Sequence, residues 1–264
     1  MHKRVRIALV VLLVVIGGVS AWQGLREREP VYRGKPLSVW LQRYIQGGSY
    51  IGFWPEPEAD EAIRQIGTNA IPTLLLMLRE HDSKLKLALL RLSYKHDFTS
   101  RWVHSAVFSP WQAATAFHAL GTTASNAVPQ LIQIYRDKIS LDSQGGCAEA
   151  LGWIGPASSE AIPDLMSAAT NSDKNLRAVA VEALGNIHAK PELVLPLLTQ
   201  SLQDSSIRVR FNAVSSLAGF GSEAKPAVPA LAQLLTDPLP SIRTNAANAL
   251  KAIDPEAAAK AGVK

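Results

Sequence analysis

The sequence predicts an all-α fold: an α-solenoid of stacked antiparallel helix pairs, preceded by an apolar N-terminal helix. Three observations carry this. Pro129, Pro163, Pro196 and Pro229 lie 34, 33 and 33 residues apart, and a fixed period of this size is the mark of stacked repeats. Leucines keep step with them, as Leu131, Leu165, Leu198 and Leu231 in one helix and Leu151, Leu184, Leu217 and Leu250 in the next. Gly121, Gly155, His188, Gly221 and Asp254 then fall where each second helix ends, a place that often needs a left-handed backbone.

Residues 1–22 form the first segment. Lys3, Arg4 and Arg6 precede the apolar run Ile7 to Ile16, and the segment closes on the small residues Val19, Ser20 and Ala21. This pattern fits a signal peptide cleaved near Ala21. It also fits an uncleaved anchor, in which residues 7–22 would span roughly 24 Å as a helix. Either way the basic end stays cytoplasmic and the body is extracytoplasmic, in the periplasm. The segment also holds much of the basicity. The net charge of the chain is +5, but from Val31 onward 22 basic residues face 20 acidic ones, leaving +2. No phosphate-binding signature stands out, and no nucleic-acid partner is expected. One cysteine, Cys147, excludes an intrachain disulfide. It aligns with Ala180, Ala213 and Ala246 and is expected to be a small buried residue.

Residues 23–58 read as a linker and cap. In "YRGKPLSVWLQRY", Ser38 is expected to cap a short helix that presents Leu37, Trp40 and Leu41 to the first repeat. A solenoid needs its end layers covered. A Gly- and Pro-containing stretch with aromatics follows.

The repeat domain is expected over residues 59–264, about five helix pairs running from Ala59 to Asp254 with no sheet. Repeats are weak at 59–81, where Gly67 and Pro72 are five apart rather than eight. An insertion at 82–110 breaks the period. It holds Arg101, Trp102 and His104 in a predicted loop, and insertions of this kind collect on one face and often carry function. From 112 to 254 the repeats are regular. A proline near each helix start is tolerated, because the first N–H groups lack partners there. Ala116, Ala150, Ala183, Ser216 and Ala249 form a small-residue column that lets helices approach. Asn171, Asp204 and Asp237 end the first helices, and Arg177, Arg210 and Arg243 begin the second ones. This ladder is expected to cap turns and to pair within or between repeats.

The proline, the Asp or Asn eight residues on, and the apolar-Arg pair at the fourteenth resemble HEAT repeats. "AVEALGNI" and "AEALGWIG" are similar to the HEAT-like class first named from phycobilisome lyases. "YRGKPLSVWL" resembles a segment found before such repeats in exported bacterial proteins of unassigned function. The resemblance implies a curved solenoid with the second helices on its concave side. Their variable positions are Gly145, Ala178, Phe211 and Thr244 in one column and Glu149, Glu182, Ser215 and Asn248 in another. Phe211 is the candidate anchor for a partner, if exposed. Otherwise it packs within the stack.

Three functions are weighed. The first is a non-catalytic protein-binding scaffold of the bacterial envelope, with the membrane reached only through an uncleaved N-terminus. The second is an enzyme on a HEAT-like fold, of the bilin lyase or isomerase kind. The third is a permanent structural subunit of an envelope complex. The sequence offers no catalytic residues, no cofactor site and no metal ligands: it contains no P-loop, GxSxG, CxxC or HExxH pattern. The scaffold is therefore the leading expectation.

Overall fold

The computed structural model describes residues 29–46, 56–81 and 109–263. The apolar leader, residues 47–55 and insertion residues 82–108 lie outside them, and Arg101, Trp102 and His104 fall in the last of these. The described chain begins with a two-residue ribbon, β1 (Val31–Tyr32) paired antiparallel to β2 (Lys35–Pro36). Arg33 and Gly34 join them with φ 48° and 71°, the positive pair that a tight hairpin turn requires. This ribbon is a small departure from an all-α chain, and it lies before the repeats.

Helix α1 (Leu37–Gln46) follows directly. Ser38 does not cap it. It lies inside the first turn, and its backbone N–H donates to the Glu29 carboxylate at 3.0 Å. Leu37, Trp40 and Leu41 are buried, so α1 covers the first layer. Lys35 and Arg43 lie over the Trp40 ring, and the indole N–H reaches the Tyr32 carbonyl.

The repeats run as α2 (Pro57–Ile66), α3 (Ile71–Leu78), α4 (Ser109–Leu120), α5 (Val128–Arg136), α6 (Leu141–Ile154), α7 (Ile162–Ala168), α8 (Lys174–Ile187), α9 (Pro191–Ser201), α10 (Ile207–Gly219), α11 (Val228–Gln233), α12 (Pro240–Ile253) and α13 (Pro255–Lys260). The proline-bearing first helices are α3, α5, α7, α9 and α11, and α4, α6, α8, α10 and α12 are their partners. The insertion lies between α3 and α4, inside one pair.

Why a first helix carries two prolines is clear at residues 221–236. Pro226 belongs to a 3₁₀ segment, Gly221–Ala227, that leads into α11, and Pro229 is in the first turn of α11. Neither disturbs an interior turn of α-helix. The same 3₁₀ lead-in recurs at Gly121–Ala127 and Gly155–Ala161. At Gly67–Ala70 it is shortened to four residues, which is the short Gly67 to Pro72 spacing. Pro196 is the exception among the prolines. Helix α9 starts early, at Pro191, and Pro196 sits inside it on its exposed side.

The helix ends also differ from column to column. Gly121, Gly155 and Gly221 take φ 53°, 78° and 55°. His188 takes φ 50° without being glycine, and its ring stacks on Phe220 of the next repeat at 4.3 Å. Asp254 departs from the column. Its φ is −150°, and its side chain caps α13 by accepting from the Ala257 N–H.

The core is one continuous seam. Leu131, Leu165, Leu198, Leu231, Leu151, Leu184, Leu217 and Leu250 are all buried, as are Cys147, Ala180, Ala213 and Ala246. Burial raises the Cys147 thiol well above its ordinary range. Consecutive second helices pack directly on one another, α4 on α6, α6 on α8, α8 on α10 and α10 on α12. No helix among the described residues is long and apolar enough to cross a membrane. Truncating Leu184 to Ala opens a cavity between layers and is expected to cost about 2–5 kcal/mol. Leu193→Ala, on an exposed side chain, should cost under about 0.5 kcal/mol. Urea denaturation of both variants checks the difference, and equal midpoints would refute the layered core.

Candidate binding surface

Two polar ladders run along the stack, and they do different work. The first is the Arg–Asp ladder at the turns within each pair. Arg177 forks onto the Asp204 carboxylate at 2.8 and 2.9 Å, and its remaining nitrogen donates to the Asn171 and Ser172 carbonyls. Arg210 repeats this with Asp237 and with the Asp204 and Ser205 carbonyls. Each Arg therefore closes its own turn and grips the carboxylate of the next repeat. The carboxylates also accept backbone N–H groups two residues on, from Ser206 and Leu239. Arg177 holds the Asp204 carboxyl below the usual carboxylate range. Arg243 holds the Asp237 and Pro238 carbonyls. The donors of Arg177 and Arg210 are thus committed within the stack, as a structural ladder requires. At the other end the Arg position is Gln144, whose amide donates to the Tyr135 carbonyl; the Ser143 hydroxyl beside it donates to the Leu78 carbonyl, and Arg79 reaches Asp137.

The second ladder lies on the second-helix face. Asn212 donates to the Ala178 carbonyl and to Glu182, at 2.9 and 3.0 Å. Asn245 does the same one repeat later, to the Phe211 carbonyl and to Ser215. Each amide clips its helix to the one before. The sequence reading missed this pair, although Asn212 and Asn245 are 33 residues apart.

The two variable columns of this face divide unexpectedly. Gly145 and Ala178 are buried, so their column belongs to the core at α6 and α8. A β-carbon on Gly145 would lie 2.7 Å from the Trp111 ring, which fills that space. At α10 the column reaches the surface, and Phe211 is 43% exposed. Ile207, one turn earlier, and Leu141 on α6 are exposed too. Leu141 and Ile207 line a cleft of about 840 Å³ at the starts of α6, α8 and α10, together with Trp111, Gly145, Lys174 and Arg208 among others. A groove of the same volume lies on the first-helix side, with Leu76 exposed at its edge.

In the next column stand Glu149 and Glu182, on neighbouring helices. Burial first, and the Glu182 charge second, push the Glu149 carboxyl up to about 7. Burial also raises Glu182, opposed by Arg208 and by the Asn212 hydrogen bond. Trp153 donates to Glu149 at 3.4 Å and meets the His118 ring edge-on at 4.4 Å. Burial lowers the His118 pKa, which favours the neutral imidazole. Among the described residues no group of His, Cys, Asp and Glu is placed to hold a metal ion.

An α-solenoid of helix pairs with a two-helix repeat is one class of protein, and the sequence places the chain within it. The HEAT-repeat family matches over residues 108–185, 162–227 and 195–261, more than half of the chain, which therefore belongs to that family. No curated protein matches. Among solved structures, a designed armadillo repeat protein in complex with the peptide (KR)4 is 17% identical, with a TM-score of 0.47, covering 74% of this chain and 99% of its own. An engineered protein is 18% identical, with a TM-score of 0.46, covering 78% and 98%. These superpositions are too loose to carry an argument about function.

The raised Glu149 pKa has a stability consequence with a definite sign. The folded protein prefers the protonated acid, so ionisation costs nothing below the unfolded pKa and the full penalty applies above about 7. Glu149→Gln keeps an acceptor for Trp153 and removes the charge. It is expected to stabilise the fold by about 1–3 kcal/mol at pH 8 and to change little at pH 4. Thermal midpoints at the two pH values check this, and an equal shift at both would refute it.

Proposed function

We propose that the chain is a non-catalytic protein-binding scaffold of the bacterial envelope. One observation carries the binding reading: Leu141 and Ile207 are exposed in the lining of a single cleft on the second-helix face, and Phe211 is exposed one helical turn beyond Ile207. Large apolar side chains gathered in one place mark interaction sites more often than scattered ones do, and stacked repeats offer an extended surface for a partner. The cleft rests on rigid helices, so little ordering entropy is lost when a partner docks.

The envelope reading rests on the sequence of the leader. The basic start and the apolar run Ile7 to Ile16 direct the body out of the cytoplasm. Residues 7–22 then either hold it at the inner membrane or are removed near Ala21. Mass determination of the protein from its native envelope separates the two, because cleavage removes the N-terminal residues.

Mild-detergent capture from the native envelope, using the full chain as bait, tests the scaffold reading. A partner that co-purifies and re-binds in purified form is expected. Phe211→Ala should weaken that binding by about tenfold, as a truncated aromatic anchor does, and leave the thermal midpoint nearly unchanged. Unchanged affinity with a lowered midpoint would return Phe211 to the core and remove the anchor.

A further inference from the structure

The groove on the first-helix side is walled by α1, α3, α4 and α5, and α3 differs from the first helices of the regular repeats. It reads "IPTLLLML", with Thr73 its one polar side chain. Leu74 and Leu78 are fully buried, but Leu76 is 60% exposed. Four residues after the proline of each regular repeat stand Gln133, Ser167, Gln200 and Gln233, all of them exposed. Leu76 therefore puts a large apolar side chain where the stack otherwise turns a polar one to water. Half-buried Met77 lies beside it, and buried Leu41, Ile71, Leu75 and Ile134 complete the apolar lining. A helix that is apolar all round is ordinarily covered all round.

The insertion belongs to this same helix pair. The described chain stops at His81 and resumes at Ser109. Glu80 and Gln112, both in the groove lining, are one and three residues from those two ends. The 27 residues 82–108 thus leave from the groove and return to it. They open with "DSKLKLALLRL", in which Leu85, Leu89 and Leu92 fall at the spacing of one helix face. Lys84, Lys86 and Arg91 flank that stripe. Leu85 is four residues beyond His81, and even extended chain keeps it within about 14 Å of that residue. The groove offers charge of the opposite sign. Glu29 and Glu80 line it, and the Arg79 guanidinium is taken up by Asp137 at 2.9 Å.

We infer that residues 85–92 of the insertion occupy this groove, with Leu85, Leu89 and Leu92 against Leu76 and Met77 and with the flanking basic residues toward Glu29 and Glu80. The insertion then supplies the cover that the apolar side of α3 needs. The regular repeats carry Gln or Ser at that position and need none. Two apolar surfaces leave water together, which stabilises the contact in proportion to the area removed. The groove is taken up by the chain itself, and the cleft at the starts of the second helices stays open to a partner. This contact does not depend on the scaffold reading, which concerns that other face.

Thiol labelling of the full chain tests this, since the one native cysteine, Cys147, is buried. Leu193, on α9, is exposed and serves as the reference. Leu76→Cys should react with a maleimide at least about tenfold more slowly than Leu193→Cys, because its site must first be uncovered. Replacing Leu85, Leu89 and Leu92 by Ser should abolish that protection and leave Leu193→Cys unchanged. Leu76→Gln, which restores the residue type of the regular repeats, should lower the thermal midpoint by about 2–4 °C, and Leu193→Gln should not move it. Leu76→Cys combined in turn with Leu85→Cys, Leu89→Cys or Leu92→Cys should oxidise to a disulfide within one chain in at least one case. Equal labelling of the two single-cysteine variants, or an unchanged midpoint for Leu76→Gln, shows an uncovered groove and overturns the inference. Protection that survives the serine substitutions assigns the cover to a partner or to residues 1–28, and a disulfide that joins two chains assigns it to a second copy. Either result overturns the inference, as does the absence of a disulfide in all three pairs.

Discussion

The close approach of consecutive second helices is the constraint on which the rest of the structure depends. A β-carbon on Gly152 would come within 2.9 Å of the Ala183 backbone, and one on Gly185 would run into Ser216. The small residues on one helix thus meet small residues on the next, and backbone lies almost against backbone. That spacing fixes the pitch of the stack. It leaves room for one leucine from each helix between layers, and it brings Asn212 and Asn245 within reach of carbonyls on the preceding helix. Dispersion and burial supply the stabilisation, but only because the layers come this near.

The Arg–Asp ladder follows from the same pitch. With the layers held at a constant distance, Arg177 and Arg210, each at the start of a second helix, meet the Asp of the next turn, 27 residues on. The pairs are largely shielded, with side-chain exposures of 14% and 16% for one and 15% and 5% for the other. Shielding weakens screening by salt, and the forked geometry specifies which turn follows which. Where a layer lacks its neighbour, the ladder is improvised. Arg79 substitutes across the insertion at one end, and at the other Asp254 turns from ending a helix to starting α13, which buries Ala258 over the last layer. The same rule explains α1 and its ribbon, whose Leu37 and Leu41 close the opposite face.

What the sequence made legible is what translation along the stack repeats. Each inner layer sees the same neighbours, so its leucines, alanines and turn residues recur at one period, and both the fold and the Arg–Asp positions can be read from it. What it hid are relations between layers that differ. Ser38 has the right residue type for a cap, but the chain before it folds back to present Glu29 instead. Pro196 shares a period with helix-start prolines, yet α9 gains a turn before it because no 3₁₀ segment precedes that helix. Gly145 and Ala178 vary in type and so resemble free surface, but Trp111 and the Asn212 clip enclose them. His188 occupies a glycine position and adds a ring stack that no column comparison contains. Of the candidate surface, Phe211 was legible as a large residue among small ones. The carboxylate pair was visible only as two letters, because its character comes from burial.

That pair also shows where a repeat protein can carry a local cost. A carboxylate pushed up to about 7 by burial and by its neighbour's charge weakens the fold at neutral pH. A layer built only for stacking would place an uncharged residue there, as the stack does with Ser215 and Asn248. The leucine and glycine positions cannot change without altering the pitch. The outer positions of the second helices can, since their side chains point away from the seam. The penalty at Glu149 and Glu182 therefore falls on residues that do not set the pitch.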